Sequence, residues 1–133
     1  MKLRNSEMIQ IINNIAAIQS NELQSEEKRF VGKIKVSYAL KKNRDKILEL
    51  LKPYEEERLE IFERFKIDKN GSLENLSNDE KEALLKELNV LLSIEVDVPV
   101  YKVNIEDVEG IKLSFEELDA LDFMINDPVE LRN

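Results

Sequence analysis

Residues 37–66, SYALKKNRDKILELLKPYEEERLEIFERFK, carry the strongest periodic signal in the chain. Leu40, Arg44, Ile47, Leu51, Tyr54, Arg58, Ile61 and Phe65 recur at alternating steps of four and three. That is a heptad seam, widened by Leu48, Leu50, Leu59 and Phe62. A straight helix of that length would be about 45 Å long, against about 30 Å for a domain of this size, so it must protrude, bend or pair. Pro53 marks the bend, because proline removes one helical hydrogen bond and crowds the preceding turn. Two readings remain: one helix kinked at Pro53, or two helices with Pro53 opening the second and Glu55–Glu57 complementing its N-terminus. The seam keeps its phase across the proline, which favours the kinked helix.

Upstream, Met8, Ile11, Ile12, Ile15 and Ile18 form one stripe, predicting a helix from Asn5 or Ser6 to about Ser20. Asn5 and Ser6 are both suitable N-caps. Asn21–Glu27 is polar and reads as a loop, so residues 1–27 are expected to form a helix and loop appended to a domain that spans the whole chain. Phe30–Val36 alternates Ile34 and Val36 with Lys33 and Lys35, which predicts a short strand beginning near Gly32.

Downstream, Asp68-Lys69-Asn70-Gly71 reads as a turn. It is not a calcium loop, because Gly71 falls at the fourth position instead of the sixth. Ser77-Asn78-Asp79-Glu80 is a capping box opening a helix to about Leu92. Ile94, Val96, Val98 and Val100 alternate with acids and Pro99, a half-buried edge strand bulged near the proline. Asp107–Gly110 reads as a turn. Ser114-Phe115-Glu116-Glu117 is a second capping box, opening a final helix that ends at Asp127-Pro128. The class is α+β, mostly helical, with a long kinked helix and a small sheet of two or three strands.

The chain has 133 residues, 20 Lys+Arg, 28 Asp+Glu and no histidine, cysteine or tryptophan. Without His and Cys there is no Ser-His-Asp or Cys-His nucleophile, no Cys/His zinc site and no thiolate redox centre. The three glycines, Gly32, Gly71 and Gly110, are too far apart for a phosphate loop. The carboxylates Glu56, Glu60 and Glu63 share one helix face, as do Asp119 and Asp122 on the last helix; both sets read as solvated faces ahead of a metal site. The expectation is a protein without catalytic residues, metal or cofactor. No apolar run matches a signal peptide or a membrane span, and the cysteine-free composition fits the cytoplasm.

Charge divides sharply along the chain. Residues 1–52 carry 11 basic and 6 acidic side chains, and residues 53–133 carry 9 and 22. Three readings follow: a nucleic-acid patch at Lys28–Lys46, an acidic surface for a basic partner, or two halves that fold together and partly neutralise each other. Direct nucleic-acid binding is disfavoured by the overall charge of −8 and by the absence of a recognisable motif.

Lys35-Val36-Ser37-Tyr38-Ala39-Leu40-Lys41-Lys42-Asn43, the run Leu51–Arg58, and the ending Val108–Ile111 with Leu113–Ile125 resemble a family of small proteins encoded by phages and prophages of Gram-positive bacteria. The likeness covers most of residues 33–126; Gly32, Pro53 and the first 30 residues are less typical. It implies a phage accessory protein acting in the bacterial host cytoplasm, and it supplies no catalytic residues. Two versions are expected. In one, an inhibitor of a host antiviral system presents an acidic face (Glu55, Glu56, Glu60, Glu63, Asp119, Asp122) to a basic groove of a host defence protein. In the other, a virion accessory pairs helices through the seam Leu40, Ile47, Leu51, Tyr54, Ile61 and Phe65, with a phage structural protein or as a homo-oligomer.

Overall fold

The computed structural model describes residues 1–67 and 71–126. Helix accounts for 65% of it, including a 31-residue bent helix, with two small two-stranded sheets: an α+β fold. In chain order the elements are β1 (Lys2–Arg4), α1 (Asn5–Gln24), α2 (Ile34–Leu50), α3 (Lys52–Arg64), α4 (Asn78–Ser93), β2 (Glu95–Asp97), β3 (Val103–Asn104), α5 (Ile105–Val108), α6 (Phe115–Leu121), a 3-10 turn at Asp122–Met124, and β4 (Ile125–Asn126). Asp68, Lys69 and Asn70 of the turn expected at 68–71, and the helix stop at Asp127-Pro128, lie outside the described residues.

Helices α2 and α3 are the two arms of the bent helix. Leu51 joins them in a near-helical conformation (φ −84°, ψ −8°). The ladder runs through the joint, since Leu51 N–H donates to Ile47 O at 2.9 Å and Glu55 N–H to Leu51 O at 3.0 Å. Pro53 has no N–H to offer Glu49 O, so the bend falls there. The seam keeps one face across it, and Leu40, Ile47, Leu51, Tyr54 and Ile61 are all buried.

Helix α1 lies in the middle of this core. Met8, Ile15 and Ile18 are 0–3% exposed, and the helix touches β1, α2, α4 and α6. Residues 3–18 thus contribute to the core, and the expected loop from Asn21 is helical to Gln24. The expected caps are replaced. Arg4 occupies the cap position, and the Glu7 carboxylate accepts its backbone N–H at 3.0 Å. Asn5 turns inward instead, donating from Nδ2 to Leu91 O at 2.9 Å, so it ties α1 to the end of α4.

The strand expected at Phe30–Val36 is absent; the segment turns at Gly32 (φ +83°) and enters α2 at Ile34. Helical phase explains the change. Val36, Ala39, Leu40, Asn43 and Ile47 form one buried stripe, whereas Ile34 is 77% exposed. Asn43 hides that stripe in the sequence. It is 2% exposed and bridges the backbone of Tyr101, accepting its N–H at 2.7 Å and donating to its C=O at 2.9 Å. Asn43→Ala should cost roughly 2 kcal/mol, because those two backbone groups lose the side chain that pairs them. Urea unfolding measures it, and an unchanged midpoint would contradict the bridge.

The edge strand at 94–100 is real but short. It stops at Asp97, two residues before Pro99, and pairs antiparallel with β1, which the pattern reading did not anticipate. The turn expected at Asp107–Gly110 is overlapped by the single-turn helix α5, Ile105–Val108, which Gly110 (φ +86°) ends. Both capping boxes form as expected, Ser77–Glu80 on α4 and Ser114–Glu117 on α6. The final helix ends earlier than its apolar run: Ile125 belongs to β4, which pairs parallel with β3.

Candidate protein-binding surface

Three cations of the positive segment, Arg29, Lys33 and Lys35, are engaged by the negative half of the chain. Arg29 donates to both carboxylate oxygens of Glu117 at 2.8 Å and to Lys112 O at 2.8 Å. Its Nε lies 3.5 Å from Glu22. The hydrogen bonds from Arg29 hold the Glu117 carboxyl down at about 2, against an ordinary 4.5. Lys33 donates to Glu109 O at 3.1 Å, and Lys35 lies 3.8 Å from Asp107. Lys42 rests over the Tyr38 ring, 5.3 Å from its centroid, and Tyr38 in turn meets Tyr101 edge to face. The charge asymmetry is therefore partly spent inside the molecule.

The acids of α3 are different. Glu56, Glu60 and Glu63 are exposed at spacings of four and three, on the crest opposite the buried stripe of Tyr54 and Ile61. None of the three forms an ion pair among the described residues. Glu55 is exposed too, 3.8 Å from Arg58. Among the described residues, no three acidic side chains converge closely enough to hold a metal ion. Asp119 and Asp122 are exposed on α6 and the turn after it. Helix α6 packs against α1, whereas α3 packs against α4, so the six predicted acids form two separate sets.

The seam has a different fate from an exposed pairing face. Leu40, Ile47, Leu51, Tyr54 and Ile61 are 0–9% exposed, and Phe65 packs against the same cluster. They pair helices within the chain. Arg44 and Arg58 sit at the margin of this stripe. Arg44 bonds Asp45 at 3.0 Å, and Arg58 lies 4.6 Å above the Phe62 ring. Their stems cover apolar neighbours while the charged heads reach water.

Two grooves flank the acidic crest. One lies between α1 and the bend and is lined by Ile9, Ile12, Leu48 and Leu59, with Glu55 and Glu56 at its edge. The other, of about 760 Å³, lies between the bent helix and α4. Leu50, Pro53, Tyr54 and Ile61 form one wall, and Val90, Leu91, Ile94 and Val96 the other. The Arg64–Glu87 ion pair, 3.0 Å long, bridges the two helices there. The sequence reading did not single out Val90 and Ile94 as a surface. Their exposure, 60% and 49%, is the one signal that marks them, and it exists only once α4 is placed beside α3.

Among the described residues, no helix is long and apolar enough to cross a membrane. No family model, no curated protein and no solved structure matches the chain.

Proposed function

We propose that the chain is a phage-encoded, non-enzymatic protein-binding protein that presents the acidic crest of α3 to a basic surface on its partner, as an inhibitor of a host antiviral defence protein acting in the bacterial cytoplasm. The observation that carries this reading is the contrast within one molecule. The cations Arg29, Lys33 and Lys35 are engaged by the chain's own carboxylates and carbonyls, whereas Glu56, Glu60 and Glu63 are exposed and form no ion pair among the described residues. Unpaired like charges on one helix crest repel each other, and a cationic partner relieves that repulsion while steering association. A partner that normally grips nucleic acid offers such a surface.

The test is a tagged pull-down from nuclease-treated lysate of infected host cells, using the wild-type chain and the triple variant E56K/E60K/E63K. All three positions are exposed, so the variant should fold with stability changed by less than about 1 kcal/mol. The expected result is a basic, nucleic-acid-binding host protein captured by the wild-type chain and lost with the variant. Capture of phage head or tail proteins by both forms would overturn the defence reading in favour of virion assembly. The burial of the seam disfavours that second version, because helix pairing through Leu51 would require the core to open.

A further inference from the structure

We propose that the groove between the bent helix and α4 receives a basic, amphipathic helical segment of the partner, its apolar side chains on Leu50, Pro53, Val90 and Ile94 and its cations beside Glu49 and Glu57. The inference rests on the reading of α3 as the partner-binding helix and names what the partner brings to it. Three observations support it. The groove is apolar on both walls, and Val90 and Ile94 leave about half or more of their surface in water. Contiguous exposed apolar walls around a cleft mark binding surfaces more than they mark ordinary protein surface.

The second observation is Tyr54. It lines the groove and is only 9% exposed, yet its hydroxyl has no hydrogen-bond partner among the described residues. Burial pushes its pKa upward, so the hydroxyl stays protonated and available as a donor. Tyrosine hydroxyls at interfaces usually find a partner, and a polar group on an inserted segment takes the place of the water that the Tyr54 hydroxyl still reaches.

The third is the charge along the rim. Glu49 and Glu57, both exposed, stand on the bent-helix side, and Glu49 lies 3.5 Å from Lys46. Lys86 and the Arg64–Glu87 pair stand farther along the groove, beside Ile61. The cations of an incoming segment are therefore directed to the bend. From Leu50 to Ile61 the wall runs about 16 Å, three turns of helix, which suits apolar anchors at i, i+3/i+4 and i+7.

The experiment uses the full chain, 15N-labelled, and two synthetic peptides of equal length and charge. One is an amphipathic Leu/Lys helix; in the other every Leu is Ser. The Leu/Lys peptide should bind at least about tenfold tighter and shift the amides of Leu50, Val90 and Ile94. The variant V90S/I94S, altered only at exposed positions and checked for native circular dichroism, should erase that advantage while still binding the polar peptide. Equal binding of the two peptides, or an advantage that survives in V90S/I94S, overturns the groove and leaves the acidic crest standing. Binding of neither peptide overturns both.

Discussion

Leu51→Asp should unfold the chain. Leu51 is 7% exposed at the joint of the bent helix, where it belongs to the same apolar cluster as Met8, Ile47 and Tyr54. Removing its side chain from the core forfeits about 2–3 kcal/mol of burial, and placing a carboxylate there adds a desolvation penalty of several more. The total is about 4 kcal/mol or more, a large share of the 5–15 kcal/mol that a domain of this kind has. Far-UV circular dichroism should show the helix signal lost or its melting temperature lowered by at least about 15 °C. A folded but monomeric L51D protein would contradict the structure and revive the seam as an exposed pairing face.

Arg29→Met should cost roughly 3 kcal/mol near neutral pH. Arg29 ties the segment after α1 to the start of α6, and the Arg29 and Glu117 side chains are only 14% and 11% exposed. Methionine would leave Glu117, and Glu22 beside it, as poorly solvated carboxylates without their cation, and breaking a buried pair from one side is costly. The pH dependence has a definite sign. Glu117 titrates near 2 in the folded chain and near 4.5 ordinarily. The stabilisation is thus fully present above about pH 4.5 and is lost as pH falls toward 2; at 1.36 kcal/mol per unit it amounts to about 3 kcal/mol. Urea titrations at several pH values should show the wild-type and R29M curves converging in acid. A gap that stays constant with pH would show that Arg29 acts through packing, for instance on Phe30, 5.6 Å from its guanidinium, and not through Glu117.

The sequence revealed structure wherever the signal was local. Ser77–Glu80 and Ser114–Glu117 each bring hydroxyl and carboxylate within one turn, and both boxes formed. The bent helix was legible because its seam runs for eight positions with one proline to place the bend. The strand reading of Phe30–Val36 failed because period two over four residues is a weak pattern, and the helical stripe that overrode it passes through Asn43, a polar residue. Arg29 and Glu117 stand 88 positions apart, so no local pattern joins them. The acidic crest was visible as a spacing; the groove beside it was not, because it needs Val90 and Ile94 brought against Leu50 and Pro53 by the packing of α4 on α3.

The most direct test of the acidic-crest account is the dissociation constant of the captured partner, measured for the wild-type chain and for E56K/E60K/E63K as salt rises from about 0.05 to about 0.5 M. The account predicts wild-type binding that weakens at least about tenfold over that range and a variant that binds at least about tenfold more weakly at low salt, the two converging as charge is screened. Wild-type affinity that does not change with salt, or a variant that binds as tightly as the wild type, would contradict it.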